Sequence, residues 1–320
     1  MIFSRTRPSR ATPLTALLAG SAALLALAGC GQGGGGGTPV PAGSPTPAPG
    51  PVRVVASTDV YGAVARAVGG QHAEVTSVIH TPDADPHEYE STPGDAVAVS
   101  KATVLIANGG GYDDFAGKLV QASGATPTVV DVTKLSGLDT GAGEFNEHVW
   151  YSLPTVATLA DALAGDFAAA DPADAAAFRA NAGAFKAQLA GLAAKVNAIK
   201  AAHAGTRVAV TEPVPLYLVR AAGLTDATPE AFSHAVEDGN DPPAAVLQQT
   251  LAQFAGPDRV RVLLSNAQTE SPSTTQVEQA ATAGGVPVVK VTETLPAGTM
   301  DYVTWMGGQI DQLAAALDRR

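Results

Sequence analysis

Asp83-Ala84-Asp85-Pro86-His87-Glu88-Tyr89-Glu90 sets one histidine among four carboxylates. An imidazole nitrogen flanked by acidic oxygens makes an electron-rich pocket for a cation, and Pro86 stiffens the segment and holds Asp85 out of helix. His87 therefore reads as a metal ligand on a loop, against the plainer alternative of a solvated surface loop. A second histidine, His148, lies in Glu144-Phe145-Asn146-Glu147-His148-Val149-Trp150, sixty-one residues further on, so the two can meet only through the fold. Its acidic, aromatic setting suits a ligand and a satisfied structural histidine equally. Three acids follow predicted strands: Glu212 in Val-Ala-Val-Thr-Glu-Pro, Glu270 in Asn-Ala-Gln-Thr-Glu, and Glu293 in Thr-Glu-Thr-Leu-Pro. The structural alternatives are a helix-start acid for Glu212 and Glu270 and a solvated loop carboxylate for Glu293. Glu88 directly after His87 invites comparison with His-Glu-x-x-His, but Ser91 stands where the second histidine would be, and no Gly-x-Ser-x-Gly elbow is present.

These residues need a scaffold that brings distant loops together. From residue 52 onward, β-rich runs at 53–57, 74–79, 103–108 and 128–132 alternate with helical patterns near 60–69, 92–101 and 112–122. Such alternation predicts a parallel sheet with crossover helices, whose functional residues collect at the carboxyl ends of the strands. Thr92, three residues before Asp95, reads as a helix cap. A second series, with strands at 207–211, 259–265 and 286–291 and helices at 213–222, 242–254, 272–284 and 299–318, predicts a second α/β lobe. Between them, Asp171 caps and Pro172 opens a helix reaching Gly205. Phe178, Phe185, Leu189, Leu192, Val196 and Ile199 recur on it at helical period, making a single apolar stripe. His203 in its last turn suits the helix C-terminus better than a metal, and Tyr302 and Trp305 on the final helix suit a core.

The 320-residue chain is 46% hydrophobic and 15% charged, so it can build a sizeable core. Residues 1–29 carry Arg5, Arg7 and Arg10 and then a Leu/Ala-rich run ending in Leu27-Ala28-Gly29-Cys30, which resembles a bacterial lipobox. By that resemblance residues 1–29 are a signal peptide, and Cys30 is the lipidated first residue of a membrane-anchored mature chain. Residues 30–51 continue as an uncharged Gly/Pro-rich tether that can bury no core. The single cysteine excludes an intramolecular disulfide and a thiolate cluster. Net charge is -11, and -14 once the leader's three arginines are gone, which argues against nucleic acid and anionic lipid as partners.

DADPHEYESTPGD, NGGGYDDF, NEHVW, TEPVPLYLVRAAGL, SNAQTESPSTTQVEQAATAGGVPVVKVTETLPAG and DYVTWM, spread in order over residues 53–318, resemble the metal-binding solute receptors of bacterial zinc and manganese ABC importers. The resemblance implies two α/β lobes, 52–170 and 206–320, joined by one long helix at 171–205, with the ion between them. It implies His87 and His148 as ligands from the first lobe, Glu212 as the third ligand and Glu293, where an aspartate is usual, as the fourth; Glu270 and Asp238 stand in reserve. Two imidazoles and two carboxylates suit Zn(II) or Mn(II) and not Cu(I). The His-rich acidic loop of many zinc receptors is missing, and Glu147 replaces the proline usual before the second histidine. The resemblance further implies an extracytoplasmic, lipid-anchored, monomeric receptor without catalytic activity that hands its ion to an ABC permease in the cytoplasmic membrane. The competing readings are a surface adhesin or metal-storage lipoprotein and a metallohydrolase.

Overall fold

A computed structural model describes residues 50–82, 89–141 and 145–319. The leader, Cys30, most of the tether, and His87 with Asp83, Asp85 and Glu88 lie outside the described residues.

The first lobe opens with β1 (Val52–Thr58), α1 (Asp59–Gly69), β2 (Ala73–Ile79), α2 (Pro93–Ser100), β3 (Val104–Ala107), α3 (Asp114–Ser123) and β4 (Thr128–Asp131). All its strand pairs are parallel, in the order β2-β1-β3-β4. Every residue of β3 and six of the seven in β1 are buried, as strands covered on both faces must be. Thr92 caps α2 reciprocally with Asp95, which satisfies two otherwise orphaned main-chain donors. The chain then runs through α4 (Val132–Ser136), α5 (Leu153–Ala170) and α6 (Ala175–His203).

The second lobe holds β5 (Arg207–Val210), α7 (Leu216–Ala221), β6 (Thr225–Asp226), α8 (Glu230–Glu237), α9 (Ala244–Ala252), β7 (Leu263–Asn266), α10 (Pro272–Ala283), β8 (Val288–Val291) and α11 (Tyr302–Asp318). Its sheet is again parallel, in the order β6-β5-β7-β8, the same arrangement as the first. The two-lobed α/β architecture with one long helix is thus the one expected.

The 29 residues of α6 span about 44 Å at 1.5 Å per residue. All six residues of its predicted stripe are buried, and the helix packs against α1 and α5 on one side of the molecule and α11 on the other. One hydrophobic cluster runs from Val54 and Ile106 through Phe185 and Leu189 to Val208 and Leu264, so the lobes share a core across this helix. Hydrogen bonds join them too: the Tyr151 hydroxyl donates to the Thr292 carbonyl at 2.7 Å, the Tyr302 hydroxyl donates to the Trp150 carbonyl at 2.7 Å, and the Leu295 amide donates to Asp59 Oδ1 at 3.1 Å. Burial pushes the Asp59 carboxyl up to about 6.

Local features depart from expectation, among them the short α4 and β6, which have no predicted counterpart. Asp171 caps a 3-10 turn at Pro172–Asp174 rather than the α-helix itself, which begins at Ala175. The 18-residue α5 lies in a stretch with no predicted element, although Ser152 caps it and Val156, Leu159, Leu163 and Phe167 form a buried face. The same holds for α8, whose Phe232 and Val236, four residues apart, are buried. Tyr302 and Trp305 are core residues, and His203 meets Asp318 at 3.0 Å. Among the described residues no helix is long and apolar enough to cross a membrane.

Candidate metal centre

His148 immediately precedes the 3-10 turn Val149–Tyr151 and is fully buried. Its Nδ1 lies 2.8 Å from Asn146 Oδ1, which also accepts from the His148 amide at 3.1 Å. The Asn146 amide cannot be reversed, because its Nδ2 donates to the Pro213 carbonyl at 3.0 Å, an atom that only accepts. An acceptor beside Nδ1 places a ring proton there, and Nε2 faces Glu293, whose Oε2 lies 3.8 Å away. Trp150 and Tyr112 flank the ring at centroid distances of 5.1 and 5.9 Å. Burial works against a charged imidazole, but the hydrogen bond and charge of Glu293, with Glu237 and Glu147, outweigh it and raise His148 to about 8.

The second lobe supplies carboxylates from the ends of its strands. Glu212 stands two residues after β5 and is 3% exposed; Glu293 stands two residues after β8 and is 2% exposed. Asn266, the last residue of β7, joins them: its Nδ2 donates to Glu212 Oε2 at 2.6 Å and to Glu293 Oε1 at 2.8 Å. Burial raises Glu212 to about 7, opposed by its hydrogen bond from Asn266. Gln268 Oε1 accepts from the Glu293 amide and fixes that loop.

From the first lobe, the Tyr112 hydroxyl donates to Glu293 Oε2 at 3.0 Å. A glycine-rich turn delivers it. Gly110 has φ +68°, and a Cβ there would sit 2.7 Å from Phe145 Cε1, so no other residue fits without displacement. The Asp113 carboxylate accepts the Asn108 and Gly109 amides at 2.6 and 2.9 Å and ties the turn down.

His148, Glu293 and Glu212 are therefore linked into one buried group, whereas Glu270 and Asp238 are exposed. The neighbour of Asp238 is the informative residue: Glu237 closes α8 with Oε1 3.5 Å from His148 Nδ1, and one ligand atom each of Glu147, His148 and Glu237 falls within 4.8 Å of the others. Burial raises Glu237 to about 8. With Asn146 and Thr269, these acids line a cleft of about 640 Å³ beside the buried group. Asn146, Tyr112, Asn266 and Glu237 carry no role in the sequence reading. Three of them fall inside the quoted motif segments and the fourth directly precedes Asp238, but their partners are up to 181 residues away, as Tyr112 and Glu293 are. A buried imidazole facing carboxylates across a lobe boundary is a nitrogen/oxygen donor set for a borderline divalent cation.

Fold and site together describe a bilobal binding protein of the metal-receptor kind. Residues 54–316 match the family described as zinc-uptake complex component A, periplasmic (ZnuA), and the chain belongs to that family. The manganese-binding lipoprotein MntA of Bacillus subtilis (strain 168) is 31% identical over 136 residues, covering 41% of this chain and 44% of MntA, so the aligned stretch spans less than half of that relative. The periplasmic zinc-binding protein TroA from Treponema pallidum superposes with a TM-score of 0.71 at 20% identity, covering 84% of this chain and all of TroA. The solute-binding protein FpvC from Pseudomonas aeruginosa, solved in complex with Mn2+, gives a TM-score of 0.69 at 24% identity over 83% of this chain and 98% of FpvC. These two likenesses concern the fold.

Proposed function

We propose that this chain is an extracytoplasmic solute-binding lipoprotein that captures Zn(II) or Mn(II) between its lobes and delivers it to an ABC permease. His87, His148, Glu212 and Glu293 hold the ion, with His87 assigned from its motif alone. The observation that carries the reading is the buried linkage of His148 to Glu293 and, through Asn266, to Glu212: three groups with donor atoms for a cation, gathered from loops 145 residues apart in sequence. Four protein ligands leave little room for an activated water, which suits a carrier and not a hydrolase. Residues 1–29 are a signal peptide, lipid on Cys30 anchors the chain to the outer face of the cytoplasmic membrane, and residues 30–51 tether a monomeric receptor. Its lobes are residues 52–170 and 206–320, joined by the segment 171–205 that carries α6.

Two experiments on cells test this. Deleting the gene lowers zinc or manganese accumulation at limiting supply, and the wild-type gene restores it while a Cys30→Ala form is shed from the membrane. Unchanged accumulation together with impaired surface attachment would instead establish an adhesin.

A further inference from the structure

We propose that the second lobe carries a second ligand site, a cleft that takes the phosphate group of a phosphate ester and is formed by Arg259, Arg261 and Arg319. It lies at the amino ends of β7 and β8, whereas the metal centre lies at their carboxyl ends, and it does not depend on which ion that centre takes.

The segment 257–261 leads into β7, the turn 284–287 leads into β8, and the last turn of α11 closes the third side. Between them lies a cleft of about 580 Å³, within the ~300–1,000 Å³ range of small-ligand sites. Pro257, Val260 and Pro287 give it apolar walls, and every charged residue that lines it is an arginine. This stands against a net charge of -14 for the chain without its leader. Among the described residues none of the three arginines forms an ion pair. The acid beside Arg319, Asp318, meets His203 instead, at 3.0 Å. Like charges gathered around one cleft repel one another, and a bound anion relieves that repulsion.

The arginines are also held in place. Arg261 is half-buried, and its Nε donates to the Leu317 carbonyl at 3.1 Å, which satisfies an acceptor in the last turn of α11 and fixes the guanidinium. Its Nη donors meet no protein acceptor among the described residues. Arg259 donates only to the Gly256 carbonyl, at 3.4 Å. Arg207 donates to the Asp258 carbonyl at 2.7 Å and so pins the segment that carries Arg259. Guanidinium forks match the paired oxygens of a phosphate, where lysine would offer only a point charge. A phosphate monoester brings up to two negative charges and three acceptor oxygens, a better match to three guanidiniums than a single carboxylate. The apolar walls suit the organic part of the ester. The ester could come from a soluble molecule or from a lipid headgroup, since both offer the same phosphate chemistry.

The test uses the full chain, metal-free so that phosphate cannot report through a bound ion, reconstituted on phosphatidylcholine vesicles. Hydrogen exchange at residues 257–262 and 284–288 is compared with no addition, with glycerol phosphate, and with phosphatidic acid built into the vesicles. Slower exchange in these segments is expected. Glycerol phosphate acting alone identifies a soluble ester, and phosphatidic acid acting alone identifies a lipid headgroup. Calorimetry with the effective probe should show Arg261→Gln weakening binding by about 10-fold or more, the scale of a lost charge-assisted hydrogen bond, and Arg259→Gln combined with Arg319→Gln weakening it further. Arg259 and Arg319 are exposed, so the double variant carries the test if Arg261→Gln does not fold, and an unchanged melting temperature shows that its fold is kept. Exchange unaffected by both probes in the wild type would overturn the proposal, as would protection that persists in the folded double variant.

Discussion

The two sheets share one strand order, yet they deliver site residues by different means. In the second lobe Glu212, Asn266 and Glu293 all lie within two residues of the end of a strand, so sheet register sets their spacing. In the first lobe His148 comes from the connection between α4 and α5, and Tyr112 from a glycine turn between β3 and α3. Their positions depend on side-chain contacts, among them Asn146 on the imidazole, Asp113 on the turn and Phe145 against Gly110. The carboxylate side of the site is held by the backbone, and the imidazole side by a few side chains. The imidazole side is accordingly where single changes away from the ligands should disturb the site most.

The largest effect is expected from His148→Ala, which removes the buried nitrogen. Zinc affinity measured by competition with a chelator should fall by more than the ~10–100-fold typical of losing a ligand's partner. Asn146→Ala, which leaves every ligand present but frees the ring, should itself cost about 10–100-fold. If it left affinity unchanged, the imidazole side would be as firmly held as the carboxylate side and the contrast between the lobes would fail.

Acidity gives a graded version of the same contrast. In the proposed site the ion needs a neutral His148 and an ionised Glu212, and the ion-free protein raises these groups to about 8 and about 7. Metal affinity should therefore fall steadily as pH drops from about 8 to about 6. The ion-free protein should show the opposite trend. Both groups bind a proton more tightly folded than unfolded, so their contribution to stability is complete below the unfolded values and is lost as pH rises through about 7 for Glu212 and about 8 for His148. Denaturant melts of metal-free protein from pH 6 to 9 would show this decline, and a rising curve would contradict the assignment of these shifts. The smallest expected effect is on the glycine turn: Gly110→Ala should lower stability by about 1–3 kcal/mol in the same melts, with a weaker change in metal affinity.

Much of this fold was legible because its signals are local. The stripe on α6, the Thr92 cap and the short buried strands each follow from spacing within one segment. What escaped was either weakly marked or not local at all. Pro172 could open a 3-10 turn as readily as an α-helix. Glu212 and Glu293 could be singled out as acids that close strands. Asn266 and Asn146 could not, because an asparagine at a strand end or in a loop gains meaning only when the fold shows which carboxylate or imidazole it touches. Glu237 was hidden by its neighbour, since only the end of α8 decides that Glu237 turns inward while Asp238 faces solvent.

The most direct measurement is the metal content of the purified chain by elemental analysis, followed by competitive zinc and manganese titration of wild type and Glu293→Ala. One tightly held ion per wild-type chain, markedly weakened by the substitution, is the expected result. No stoichiometric metal in the wild type, even after zinc and manganese are supplied, would contradict it.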